Sequence, residues 1–475
     1  MSFLRSVRGW KVGVVAGSLA LGASISGVVL GEVRPWRENP WYWEYRGRPV
    51  FLAGASDDDN LFQWTGSELM EQLDTLVACG GNYLRNTMSD RPDRGFEVYP
   101  FDRRPDGRYD LERWNPEYWR RFETFLEETG RRGVVVQIEV WDRFDYSRDP
   151  WRSHPYNPKN NVNYSAEESG LATEYPDHPG ANRQPFFFTV PPLQNNRVVL
   201  RYQQRFVDRL LEATLRHDHV LYCIDNETSG AEEWSAWWAR YIKEKARAVG
   251  RHVHVTEMWD DWDVRAPAHR RTFDHPELYD FADVSQNNHQ KGQVHWDRFQ
   301  WVRQYLQGRP RPINTVKTYG ADTGRYGTTQ DGLERVWRHA LGGAAAVRFH
   351  RPDSGLGLSG PARATLRALR LLEREVPLWE LVPDNERLEE REPNEANLVV
   401  SRRGDHVVFF PQDGHVRLRL PDRPEAWTLR WLEILKAAWG EPGRVNSGLV
   451  DLKPPGAGLW LALIQPGTAI GQRLR

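Results

Sequence analysis

What most constrains this chain is a repeated alternation. Eight short apolar runs stand apart in it: VFLAGAS (50–56), NYLRNTM (82–88), VVVQIEVWD (134–142), VLYCIDNE (220–227), HVHVTEMWD (252–260), DVSQNNH (283–289), INTVKTYG (313–320) and AAAVRFHRP (344–352). Between them lie amphipathic segments with helical spacing, such as PEYWRRFETFLEETGRRG and EEWSAWWARYIKEKARAVG. Several of these end in Gly, as a helix C-terminus does. Strands alternating with helices imply a parallel sheet, and a count of eight predicts a closed (β/α)8 TIM barrel. An open doubly wound sheet is the other arrangement, but no G-x-G-x-x-G or phosphate-loop signature follows the first run.

Past about residue 385 the period becomes two. ANLVVSRRGDHVVFFPQDGHVRLRLP alternates, with Gly-Asp and Asp-Gly at hairpin positions. The expected organisation is therefore a barrel over 32–385 and a small antiparallel β-sandwich domain over 386–475. At the other end, Arg5, Arg8 and Lys11 precede an uncharged apolar run from Val12 to Gly31. That pattern predicts an exported chain, periplasmic or extracellular, with residues 1–31 a cleaved signal or an uncleaved membrane anchor. No other membrane partner is expected.

Lys and Arg number 64 against 65 Asp and Glu, so no general field attracts nucleic acid. Cys79 and Cys223 have no metal-ligand spacing. Many of the 22 tryptophans stand beside Asp, Asn, Arg or Glu. Aromatic faces next to polar groups suit sugar rings, and a carbohydrate is the expected partner. Most of the tryptophans are nonetheless packing residues.

Nearly every strand run ends in polar groups, which a barrel gathers on the face where active sites are built. If Val220 and Tyr222 face the helices, then Leu221, Cys223, Asp225 and Glu227 face the axis, with Glu227 at the rim. An acid there protonates a glycosidic oxygen if burial or a neighbouring carboxylate raises its pKa. In VVVQIEVWD the same alternation turns Gln137, Glu139 and Trp141 inward. Glu139 is then a candidate second carboxylate, or a structural ion pair with Lys317 or Arg85. Glu257 is the other candidate, although its parity with Val253 and Val255 points it outward. Trp141 and Trp259 are candidate stacking platforms. Asp57, Asp58, Asp142, Asp260, His289, Tyr319 and His350 are candidate hydroxyl ligands. The long link over 147–196 is expected to wall one side of the cleft.

An Asn226-Glu227 pair ending strand four, Arg85 in YLRN ending strand two, and a barrel followed by a β domain resemble the clan A glycoside hydrolases. RGRPVFLAGAS resembles the lead-in to strand one of their apiosidase-like and cellulase-like branches. The resemblance covers about residues 40 to 385. It implies Glu227 as acid/base, Asn226 as a substrate-hydroxyl ligand and Arg85 as support for a nucleophile. The chain departs from the clan in strand seven, where Lys317 stands near the position of the nucleophilic Glu. Three readings follow: a second carboxylate from another strand, an inverting enzyme with a water nucleophile, or a barrel that binds glycans without hydrolysing them. A metal-dependent hydrolase is a further alternative, but no H-x-H falls in the first strand run, where barrel metallohydrolases usually carry one, and H-E-x-x-H and D-x-D-x-D spacings do not occur. No cofactor is expected.

Overall fold

The computed structural model describes residues 31–91, 94–322 and 324–467. Apart from Gly31, the segment read as a signal or anchor lies outside them. Eight strand–helix units follow one another. They are β1 (Leu52–Ala55) with α1 (Gly66–Ala78), β2 (Tyr83–Thr87) with α2 (Pro116–Arg132), β3 (Val135–Asp142) with α3 (Arg197–Thr214), and β4 (Val220–Asn226) with α4 (Glu232–Ala248). Then come β5 (Val255–Thr256) with α5 (Pro267–Phe273), β6 (Ala282–Asp283) with α6 (Gly292–Tyr305), β7 (Ile313–Thr318) with α7 (Thr329–Gly342), and β8 (Ala346–Phe349) with α8 (Gly360–Glu375).

The strands pair in parallel in the order β5-β4-β3-β2-β1-β8-β7-β6. Beyond this order, β5 meets the segment leading into β6. Asp280 N donates to Val255 O at 2.9 Å. Thr256 Oγ1 donates to Phe281 O at 2.7 Å. The ring of eight expected from the sequence is thus drawn together. Its closeness depends on Gly54, where a Cβ would stand 1.7 Å from the Tyr83 carbonyl oxygen of β2.

Local sequence explains where the helices begin and end. Asn115 accepts from Glu117 N ahead of Pro116, and Gly133 ends α2 in the left-handed region at φ 70°. Thr328 and Asp331 form a capping box at the start of α7, and Gly343 ends it at φ 97°.

Inside the barrel, toward the N-terminal ends of the strands, a polar layer spans the axis. Tyr83 OH donates to Gln137 Oε1 at 2.6 Å, and Gln137 Nε2 donates to Asp283 Oδ2 at 2.9 Å. Asn314 Nδ2 donates to both Tyr83 OH and Gln137 Oε1, at 3.1 and 3.2 Å. Below this layer lies Trp43, from a small antiparallel sheet that precedes β1. Its Nε1 donates to Asn314 Oδ1 at 2.9 Å, and its ring packs edge-on to Phe281.

Two antiparallel sheets follow the barrel, as the period-two pattern predicts. Alternation lets the larger sheet serve two cores. Leu398, Val408, Phe410, Ala462 and Ile464 pack toward the smaller sheet. Val399, Val407, Phe409, Leu461 and Leu463 belong to the core shared with the barrel. There Phe409 stacks on Trp337 of α7 at 6.0 Å. Cys79 and Cys223 are both buried and unbridged.

Replacing Trp43 tests the plug beneath the barrel. Trp43→Ala should cost about 3–5 kcal/mol in urea unfolding. Trp43→Phe should cost about 1–3 kcal/mol, chiefly because the Asn314 carbonyl loses its donor. Equal losses would place the whole effect in the indole N–H.

Candidate active site

The C-terminal rim is built around Glu227. It follows the last residue of β4 with φ 51°, in the left-handed region that non-glycine residues rarely adopt. Such strain persists where surrounding bonds over-determine it. Here Lys317 Nζ lies 2.7 Å from Glu227 Oε1, and Tyr319 OH donates to the same oxygen at 3.1 Å. Lys317 also donates to Asn226 Oδ1. Gln286 approaches the carboxylate, although its amide makes no well-aligned hydrogen bond. The register between β7 and β8 shifts between Thr315 and Thr318, the stretch that carries Lys317. Bulges of this kind redirect side chains beside active sites.

The expected raised pKa of Glu227 is corrected by this geometry. Burial alone pushes the carboxyl upward. The Lys317 charge and its hydrogen bond outweigh burial, and Glu227 is held below the ordinary carboxylate range. Glu227 is therefore the ionised member of the site.

Asp260 is its opposite. Thr228 N donates to Met258 O at 2.8 Å and Asp260 N donates to Thr228 O at 2.9 Å, so the chain past β4 runs alongside the chain past β5. Burial raises the Asp260 pKa to about 6, and the negative charge of Glu227 adds to that rise. The long link contributes here: a Cβ on Gly180 would stand 3.9 Å from Asp260 Oδ2. From the sequence Asp260 was one hydroxyl ligand among several; its electrostatic pairing with Glu227 was not legible there.

Beneath the rim lies an ion lattice. Arg85 grips Glu139 through Nε at 2.7 Å and Nη2 at 2.6 Å, and reaches Asp59 through Nη1 at 2.7 Å. Asp59 also meets Arg348 at 3.1 Å, His350 at 3.4 Å and Arg351 at 3.5 Å. Glu139 is fully buried, so the ion-pair reading applies to it and it leaves the list of catalytic carboxylates. Arg85 is occupied by the same pairing. Asp59, which the sequence reading did not single out, is the acid at the centre of the lattice.

Several other candidates are also reassigned. Glu257 is fully buried, and its Oε1 accepts from Asp225 N at 3.1 Å and Met258 N at 2.8 Å. It braces β4 against β5 and does not reach the cleft. Asp225 turns away from the axis to Arg143 at 2.6 Å. Trp141 packs among Phe186, Phe206, Trp234 and Trp238, where no sugar can stack on it. Trp259 is buried, bonded to Thr272 at 2.8 Å and covered by the Arg271 guanidinium at 4.8 Å. Asp57 accepts from Leu358 N at 2.7 Å, and Asp58 accepts from Asp59 N and Trp64 Nε1. Both hold turns. Asp142 pairs with Arg91 at 2.8 Å.

His289 lies against Tyr319 at 4.8 Å and stacks on Trp262 at 4.1 Å and 14°. Burial lowers the His289 pKa to about 4, so the ring is neutral near pH 7. Trp262 is 50% exposed and is the aromatic surface that the strand-end reading missed. Its signal was WDDW, in which the exposed ring lies beyond the strand. Among the described residues, no three His, Cys, Asp or Glu side chains are placed to share a metal ion.

Solved structures share this architecture. A glycoside hydrolase family 5 protein from Bacteroides vulgatus ATCC 8482 matches with a TM-score of 0.63 at 11% identity, over 92% of this chain and 94% of that one. A second, described as a glycoside hydrolase, matches with a TM-score of 0.62 at 11% identity, over 92% and 97%. The likeness is one of fold and takes in the C-terminal sheets as well as the barrel. No protein-family model matches the chain, and no curated protein matches it.

Lys317→Met should reverse the state of Glu227. Without the ammonium, burial and Asp260 dominate, and carboxyl NMR should show the Glu227 pKa above the ordinary value. In the wild type the folded-state pKa is lowered, so the ion pair's stabilisation is full above about pH 4.3 and is lost as pH falls below it. The variant should lack this part of the acid-induced loss of stability.

Proposed function

We propose that the protein hydrolyses glycosidic bonds in a poly- or oligosaccharide, with Asp260 as the proton donor and Glu227 as the ionised partner. One observation carries this reading: the hydrogen bonds between Thr228 and the chain past β5 bring Asp260 to the barrel mouth with Glu227, where the Lys317 ion pair at 2.7 Å lowers the proton affinity of Glu227 while burial raises that of Asp260. Such divergence identifies acid and base assignments. In the proposed reaction Asp260 gives its proton to the leaving-group oxygen. Glu227 attacks the anomeric carbon or takes a proton from the attacking water. Tyr319 and Lys317 hold Glu227 in place, and the Trp262–His289 stack offers a ring surface beside it. The names of the structural neighbours support the same substrate class. We take residues 32–385 as the catalytic barrel and 386–475 as its β domain. The basic-then-apolar segment supports an exported enzyme.

A second reading keeps the glycan and removes the turnover. It is favoured by Lys317, which stands near the strand-seven carboxylate of the clan and neutralises Glu227. One experiment separates the two. Wild type, Glu227→Gln and Asp260→Asn are incubated with a polysaccharide panel, and released reducing ends are measured. Each substitution should lower turnover about 10²- to 10⁴-fold. Because Asp260 works only when protonated, kcat/KM should fall as pH rises through about 6. Wild type that retains glycan but releases no reducing ends would decide for the binding barrel.

A further inference from the structure

At the far end of the barrel lies a second aromatic site. Trp36 and Asn39 belong to the segment that leads into the Trp43 plug, and Trp379 follows α8. Asn39 Nδ2 donates to Trp379 O at 3.0 Å and Tyr42 OH donates to Leu378 O at 3.3 Å, which fixes the two segments together. Between them and the β domain runs an open groove of about 370 Å³, lined by Trp36, Trp379, Asn39, Glu38, Glu380, Arg402 and Arg403. Its volume falls in the range of about 300–1,000 Å³ found for small-ligand clefts.

The two indoles meet at 79°, with centroids 6.4 Å apart, and form a corner. Both are only half-buried, and Trp36 does not join the apolar core that Trp379 packs against. Folding alone therefore gives little reason for an indole at position 36. The polar lining is charge-balanced: two acids face two arginines, with Arg403 and Glu380 paired at 3.0 Å. A corner of aromatic faces edged by donors and acceptors of no net charge fits a ring that is apolar on its faces and hydroxylated at its rim.

We propose that this groove is an ancillary binding site for a neutral glycan, separate from the Glu227 face. It would hold a polymeric chain while the front face engages another segment. The inference stands whether or not the front face turns over substrate.

The test uses the full chain in affinity electrophoresis through gels containing xylan, mannan or mixed-linkage glucan. Wild type should be retarded by at least one polymer. Trp36→Ala should weaken that retention about tenfold. Arg402→Glu, a change at an exposed side chain, should weaken it as well, which guards against a folding defect in the first variant. Matched thermal midpoints establish that both variants are folded. Cleavage of short soluble oligosaccharides, where wild type shows it, should be unchanged in both. Wild-type mobility unaffected by all three polymers would overturn the proposal. So would retention in both variants equal to wild type, or retention abolished by Glu227→Gln and Asp260→Asn instead.

Discussion

The barrel depends on how Arg85 is satisfied. A guanidinium buried to 1% exposure cannot stay unpaired, because desolvation without a partner costs several kcal/mol. Arg85 meets that demand with Glu139 of β3 and with Asp59 beyond β1, and Asp59 in turn draws in Arg348, His350 and Arg351. The C-terminal ends of β1, β2, β3 and β8 are thereby locked to one another. Most polar strand ends in that half of the barrel serve structure. Among the side chains left at the rim with solvent contact are Glu227, Asp260, His289 and Trp262, all from the β4-to-β7 half. The division of labour between the two halves follows from a charge that had to be neutralised inside.

The architecture was legible because period and punctuation survive burial. Seven of the eight apolar runs hold a barrel strand, the fifth only at Val255–Thr256; the sixth, DVSQNNH, keeps just Asp283 in β6 and turns into a 3-10 helix over Ser285–His289. The change to period two past residue 385 marked the sheets. Side-chain direction was less legible. Every residue of β3 is buried, and so is every residue of β4, because helices cover one side and the barrel interior fills the other. A strand buried on both faces carries no amphipathic pattern to fix its parity. Alternation placed Gln137 and Glu139 correctly and then failed at Trp141. Trp141 is in register with Asp225, and both turn out of the barrel together.

The remaining misses arose in turns, where alternation has no meaning. Three consecutive acids, Asp57, Asp58 and Asp59, read alike in sequence. The turn after β1 decides that the first two bind backbone and Trp64 while the third enters the lattice. Glu227 reaches Lys317 only through a left-handed backbone that no propensity rule assigns to Glu. Asn226 reaches the same lysine from the preceding residue, so the NE pair acts as two ligands for one ammonium.

That ammonium changes the meaning of the strand-seven departure. Two carboxylates close together compete for one proton, and neither holds it alone. Lys317 removes the symmetry by bonding to only one of them. Glu227 is held ionised, burial and then the negative charge of Glu227 raise its neighbour, and Asp260 holds a proton more tightly than Glu227 does. A neutral residue at position 317 would leave burial to raise both acids, while a carboxylate there would add a third competitor. In the proposed reaction the lysine therefore moves the proton donor from β4 to the end of β5 and leaves β4 with the charge. The clan's carboxylate pair spans β4 and β7. This one would span adjacent strands, and the asymmetry that acid/base chemistry needs near neutral pH would come from a cation where the clan places its nucleophile.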